Sequence, residues 1–303
     1  MKRRHLGVVV SLFAFTTVGL ASSNPEHTYL ALGDSVAFGL NEALLPPFTS
    51  LPPYPTPSEF IGYPEAFAQL TRFAEPRIEI NASCPGETSA SFLTIPVPGV
   101  TPPDNGCNSS HVQPGVQTVP PFKTVIGLHT SYTVAQMDFA ESQFNSNKQI
   151  DLVTLSIGAN DILLVLPQLE ACGTDPVCGQ NVLTPVLQAY AVNLAQILTR
   201  IRAHYRGALV LLTYYAPAPS LNTVAQALNG VMTQVAAQFP SIKIADGYDA
   251  FRLASAPFNG DACQAGLLIR FPPNPVSPCD IHPSVIGRYL LAATVAASLL
   301  PVL

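Results

Sequence analysis

Apolar and polar positions alternate along the chain in two rhythms. Short unbroken apolar runs of strand length begin near Thr28 (TYLALG), Arg77 (RIEINAS), Asp151 (DLVTLSI), Ala208 (ALVLLTY) and Ile242 (IKIA). The run from Asp151 to Ile157 is the clearest, and its continuous apolarity predicts a strand buried on both faces. Between the runs, apolar residues recur at helical spacing, as with Phe67, Leu70 and Phe73 in 63–74 or Ala135, Phe139 and Ala140 in 132–144. Further helical segments are predicted over 181–205, 224–239 and from Ser284 to about Leu300, with Pro76, Gly207 and Pro240 as stops. Strands alternating with helices imply parallel pairing through right-handed crossovers. The expected class is α/β, with about five parallel strands between two helical layers.

Two stretches break this rhythm. Residues 41–61 are dense in proline and carry Phe48, Tyr54 and Phe60, which predicts a semi-rigid loop. Following directly on the first strand, it is either one wall of a ligand crevice or a surface loop with stray aromatics. Residues 94–123 show little periodicity and read as a loop pinned by Cys107.

The chain also begins with a separate pattern. Lys2, Arg3 and Arg4 precede an apolar run from Leu6 to Leu20 and small residues at Gly19, Ala21, Ser22 and Ser23, which describes a secretory signal peptide over 1–21. Residues 22–303 then read as one domain. Removing the segment takes away three basic residues and no acid, so the formal charge moves from −5 to −8. That balance disfavours nucleic acid or an anionic membrane as partner. The last helix carries Arg288 near its start and is expected to pack rather than to span a membrane. Six cysteines suit an oxidising, extracellular or periplasmic compartment. Their spacing forms three local couples, Cys84/Cys107, Cys172/Cys178 and Cys263/Cys279, which are the expected disulfides. A zinc site is disfavoured, because no close Cys-x-x-Cys pair exists and the histidines are scattered.

Chemistry-bearing residues gather where strands end. Gly33-Asp34-Ser35 follows the first strand, Gly86 lies after the second, Gly158-Ala159-Asn160-Asp161 follows the third, and Asp280-Ile281-His282-Pro283 precedes the final helix. Each has an ordinary explanation as a turn or cap. In an open parallel sheet, however, the carboxyl ends of the strands share one ligand-binding edge.

In these residues the chain resembles the SGNH hydrolases, also called the GDSL family. GDS at 33–35 matches the nucleophile motif, Gly86 in SCPGETS the glycine motif, Asn160 in IGAND the Gly-x-Asn-Asp motif, and His282 in DIHPSVIG the histidine motif. The matches run in the family's order across residues 29–290, and the cysteines and export signal further resemble secreted actinobacterial lipases, esterases and phospholipases. The resemblance implies a three-layer αβα fold and a serine ester hydrolase; with the export signal, the expectation is a secreted monomer acting on a lipid or other small acyl ester. Ser35 would be the nucleophile, His282 its base, and the N–H groups of Ser35 and Gly86 with the Asn160 amide the oxyanion donors. This chemistry requires no metal or cofactor.

One departure stands out. The family's orienting acid lies three residues before the histidine, where this chain has Cys279; the aspartate is Asp280, two before. An offset of one residue points a side chain elsewhere. The alternatives are therefore Asp280 as a third catalytic member and a Ser-His dyad whose ring is held by a backbone carbonyl near Asp280, with Asp246 and Asp249 as weaker candidates. On the dyad expectation, Asp280→Asn retains much of the activity. A polysaccharide acetyl esterase on the same fold is the nearest competing function, and a non-catalytic carbohydrate- or surface-binding protein is a more distant one. The absence of tryptophan removes a Trp-lined sugar platform. Four intact motifs argue against the binding protein.

Overall fold

The computed structural model describes residues 27–45, 54–72, 78–95, 104–112, 118–146, 149–271 and 278–300. The expected signal peptide and Phe48 lie outside them. Strands β1 (His27–Gly33), β2 (Ile78–Asn81), β3 (Gln149–Ser156), β4 (Ala208–Leu212) and β5 (Ile242–Ala245) form one sheet in the order β2-β1-β3-β4-β5, every pair parallel. This is the α/β sheet expected from the alternation. Gly33 stands opposite Ser156 and Leu212 opposite Ala245, so the carboxyl ends of the strands finish near one another. The chain winds outward from β1 in both directions, which makes the β1/β3 gap the topological switch point.

The principal helices in chain order are α1 (Ser35–Phe38), α2 (Tyr63–Thr71), α3 (Ser89–Leu93), α4 (Gln136–Phe144), α5 (Ala159–Leu163), α6 (Pro176–His204), α7 (Asn222–Ala236), α8 (Gly247–Ser255) and α9 (Val285–Leu299). Helices α2, α8 and α9 pack as one group and α3, α4, α6 and α7 as another. Two groups are what right-handed crossovers in opposite directions from β1 require. Between them lies a core of Leu30, Leu32, Leu152, Val153, Leu155, Leu209 and Leu211, all essentially inaccessible to solvent. By length and composition α6 could cross a membrane. Here Tyr190, Leu194, Ile197, Leu198 and Ile201 are buried within this core.

Local chemistry moves several boundaries. Helix α6 begins five residues before the expected start, because Asp175 caps it by accepting from the N–H groups of Val177 and Cys178, and Pro176 occupies a first-turn position where no N–H is needed. Helix α4 begins at Gln136 rather than 132, and the Tyr132 hydroxyl instead donates to the Ala82 carbonyl at 2.7 Å. An antiparallel pair, β6 (Leu268–Arg270) with β7 (Cys279–Pro283), had no counterpart in the predicted pattern. Disulfides join Cys84 to Cys107, Cys172 to Cys178 and Cys263 to Cys279. Finally, Phe60 of the proline-rich segment is buried against Phe38, at 5.2 Å between ring centroids, in a satellite core with Leu40, Phe122 and Ile126. That aromatic builds core, not a crevice wall.

Candidate active site

Ser35 lies two residues past the glycine that ends β1. Gly33 ends β1 with φ of 139°, and a Cβ there would stand 2.2 Å from the Ser156 carbonyl oxygen, so only glycine lets β1 and β3 end this close together. Asp34 then caps α1, its carboxylate accepting from the Val36 N–H at 3.0 Å. Ser35 therefore opens a helix whose first N–H groups have no helical acceptor. The Gln136 amide brackets Gly33, accepting from its N–H at 2.6 Å and donating to its carbonyl at 2.9 Å. The Tyr214 hydroxyl donates to Asp34. Burial pushes the Asp34 carboxyl up to about 7, opposed by its bonds from Tyr214 and Val36.

His282 meets Ser35 from β7. Its Nε2 lies 2.8 Å from Ser35 Oγ and its Nδ1 2.6 Å from Asp280 Oδ1. The acid thus reaches the ring, contrary to the expectation that an offset of two would misdirect it. The reason is secondary structure: Cys279–Pro283 is a strand, where residues two apart share a face, and Asp280 and His282 are buried while Ile281 between them is exposed. The ring Nδ1 is engaged by the Asp280 carboxylate and not by a backbone carbonyl, and the Ile281 carbonyl accepts from Tyr215, at 2.7 Å. Asp280 is held in turn by the N–H groups of His282 (3.2 Å) and Glu42 (2.9 Å). Burial would raise its carboxyl, but the His282 charge and these hydrogen bonds win and hold it below its usual value. Burial would lower His282, and the neighbouring Asp280 charge and hydrogen bond outweigh it, so the imidazolium is favoured. Burial, with the Asp280 charge, raises the Glu42 carboxyl. The weaker candidates serve elsewhere: Asp246 caps α8 and Asp249 pairs with Arg252 at 2.8 Å.

Gly86 and Asn160 border the same edge. Gly86 is the third residue of a turn closed by the Glu87 N–H to the Cys84 carbonyl at 3.2 Å, with Pro85 before it and φ of 78°, the pattern of a type II turn. Asn160, near the start of α5, donates from Nδ2 to the Glu87 carbonyl at 3.0 Å and accepts at Oδ1 from Asn105 Nδ2 at 2.9 Å. Its neighbour Asp161 accepts from both the N–H and hydroxyl of Ser89, which ties α5 to the turn after Gly86. Gln136, Asn105, Tyr214 and Tyr215 escaped the sequence reading, because each acts on a partner far away in the chain.

Ser35, Asn160 and His282 open onto a pocket of about 670 Å³, counting the solvent at its mouth, whose walls are Val36, Ile162, Leu163, Leu166, Leu221, Val224, Leu228 and the rings of Tyr214 and Tyr215. Both nitrogens of His282 are taken by Ser35 and Asp280, and Cys84 and Cys107 are spent in a disulfide, so neither cluster of potential metal ligands among the described residues has its donors free. A hydroxyl joined to an imidazole joined to a buried carboxylate can deliver an activated oxygen nucleophile.

Comparison with known proteins bears on the family and the fold. A model of the GDSL-like lipase/acylhydrolase family matches residues 31–288. No curated protein sequence matches the chain. Among solved structures it is similar to the lipase Lip_vut3 from a goat rumen metagenome (TM-score 0.53, 16% identity, covering 90% of this chain and 97% of that one). It is also similar to phospholipase A1 from Streptomyces albidoflavus (TM-score 0.52, 15% identity, 90% and 99% covered). A variant of Axe2, an acetylxylan esterase from Geobacillus stearothermophilus, is a third likeness (TM-score 0.51, 15% identity, 90% and 93% covered). At these identities the structures establish the fold, and the family model, spanning most of the chain, establishes membership. The chain belongs to the GDSL-like lipase/acylhydrolase family and is a carboxylic ester hydrolase.

Proposed function

We propose that the protein is a secreted hydrolase of aliphatic acyl esters that works through an acyl-enzyme on Ser35. The observation that carries this reading is the Ser35-His282-Asp280 chain of hydrogen bonds opening directly into an aliphatic pocket. Ser35 Oγ attacks the ester carbonyl carbon as His282 Nε2 takes its proton, and Asp280 stabilises the imidazolium. The oxyanion of the tetrahedral intermediate sits among the N–H groups of Ser35 and Gly86 and the Asn160 amide. Collapse expels the alcohol, protonated by His282; water then attacks the acyl-enzyme with His282 again as base.

The lining of the pocket bears on the acyl class. Leu163, Leu166, Leu221, Val224 and Leu228 offer a long acyl chain contacts that an acetyl group is too short to reach, at roughly 0.8 kcal/mol per buried methylene. This favours lipid-like acyl esters over polysaccharide acetyl groups. Three disulfides and the signal-like start support export. The test is a panel of p-nitrophenyl esters from acetate to palmitate, with a phospholipid and acetylated xylan, run on the wild type and Ser35→Ala. Turnover is expected to peak beyond acetate and to vanish in Ser35→Ala. Equal rates in the two proteins would remove the nucleophile assignment, and a maximum on acetylated xylan would favour the polysaccharide esterase.

A further inference from the structure

A carboxamide is useful as an oxyanion donor only if its nitrogen end faces the substrate. The two ends of Asn160 are nearly the same size, so shape alone does not choose between them, and hydrogen bonds must. One end is set by the Glu87 carbonyl, which accepts one Nδ2 hydrogen at 3.0 Å. The other is set by Asn105, whose Nδ2 donates to Asn160 Oδ1 at 2.9 Å. With both bonds made, the second Nδ2 hydrogen is left for the pocket that Asn160 shares with Ser35 and His282. Flipping the amide would set its oxygen against the Glu87 carbonyl and its nitrogen against the Asn105 nitrogen. With Asn105 as it stands, two attractions would become two repulsions, and were Asn105 to turn as well, the clash with the Glu87 carbonyl would remain.

Asn105 also holds the other side of the same hole. Its N–H donates to the Gly86 carbonyl at 2.8 Å, and its own carbonyl oxygen occupies the space that a Cβ on Gly86 would need, 2.2 Å away. The loop that carries it is built to stay put. The buried Asp104 carboxylate accepts from the N–H groups of Gly106, Asn108 and Ser109, and Cys107 is bonded to Cys84 two residues before Gly86.

We infer that Asn105 is a positioning residue for ester hydrolysis: it orients the Asn160 carboxamide and ties it to the Gly86 turn, so that two of the oxyanion donors move as one unit. This rests on the reading of Ser35 as nucleophile and Asn160 as donor. A residue acting only through Asn160 has nothing left to do once Asn160 is gone, so a double-mutant cycle isolates it.

The experiment measures kcat and KM for Ser35→Ala, Asn105→Ala, Asn105→Asp, Asn160→Ala and the Asn105→Ala/Asn160→Ala pair, with thermal unfolding to verify that each is folded. Asn160→Ala is expected to lower kcat by ~10² to 10³, the usual cost of one oxyanion donor, and Asn105→Ala by ~10-fold or more, with KM little changed. The double variant should fall within about 2-fold of Asn160→Ala. Asn105→Asp has the same shape but can only accept, so it invites the flipped amide and should be at least as damaging as the alanine. Affinity for a boronic acid that forms a tetrahedral serine adduct should fall in parallel with kcat. Equal losses from Asn105→Ala with and without Asn160, or near-normal kcat in Asn105→Asp, would overturn the role of Asn105. Full activity in Ser35→Ala would instead remove the reading on which it rests.

Discussion

At the scale of single residues, the site turns on the bond between Asp280 and His282. The ring is buried, which by itself penalises the imidazolium, and the adjoining carboxylate more than restores it. In the proposed mechanism the imidazolium forms as Ser35 attacks, so the carboxylate is most useful where charge develops. Asp280→Asn is accordingly expected to lower kcat by about 10⁴, since the amide can hold the ring in the wrong tautomer; kcat on a p-nitrophenyl ester of medium chain checks this. The same substitution has a signed effect on pH dependence. His282 must be neutral to act as base, so its titration sets the acid limb of kcat/KM. Asp280 raises that titration, and its loss leaves burial to lower it. The acid limb of the residual activity in Asp280→Asn should therefore move to lower pH. An unchanged limb would mean that His282 does not govern it.

At the scale of elements, each candidate residue is presented by a short piece of structure whose geometry fixes its direction. Gly86 is the sharpest case: its φ of 78° is unfavourable for any other residue, and an added methyl meets the Asn105 carbonyl. Gly86→Ala should therefore cost stability by more than about 1 kcal/mol and depress kcat as well, measured by denaturant unfolding alongside kinetics. On the proposed reading, the pocket wall from α5 to α7 sets the acyl chain length. Val224→Phe fills the space, and its ratio of octanoate to acetate turnover should fall by ~10-fold or more. These elements also explain what could be read in advance. Ser35, Gly86 and Asn160 stand out in the sequence because each follows a strand end with a distinctive local pattern, and His282 because its motif directly precedes the final helix. The sequence leaves Asp280 open because its spacing departs from that of the family's motif, although the apolar residue at 281 between two polar ones already carries the period of a strand. Gln136 and Asn105 left no local signal, since each bonds a residue 103 or 55 positions away. The proline-rich loop reads equally as crevice wall or surface loop, and neither reading contains the satellite core that its Phe60 fills.

At the scale of the whole molecule, the buried acids make stability and catalysis pull apart with pH. Asp34 and Glu87 are pushed up to about 7 by burial, and Glu79 to about 9 by burial together with Glu65 beside it. A carboxyl whose folded pKa is raised binds its proton more tightly folded than unfolded. Its stabilising contribution is complete below the unfolded value of about 4 and is lost as pH rises through the folded value. Within that window each such group subtracts up to roughly 1.4 kcal/mol per pH unit, with less for Glu79 because it is only partly shielded from water. Asp280 has the opposite sign: its lowered carboxyl contributes above its unfolded value and loses that contribution on acidification. The melting temperature should therefore peak in mildly acidic solution and fall steadily toward pH 9. Catalysis meanwhile gains as His282 deprotonates, so the pH of greatest activity should lie above that of greatest stability. Glu79 separates this account from a general effect of net charge. Glutamine there cannot ionise, yet its amide can still donate to Glu65, so Glu79→Gln should flatten the decline of melting temperature between pH 6 and 9 and leave kcat near that of the wild type. A charge change elsewhere on the surface should shift the whole curve without flattening it. Parallel curves for the wild type and Glu79→Gln would show that the Glu65/Glu79 pair does not hold its proton in the folded protein.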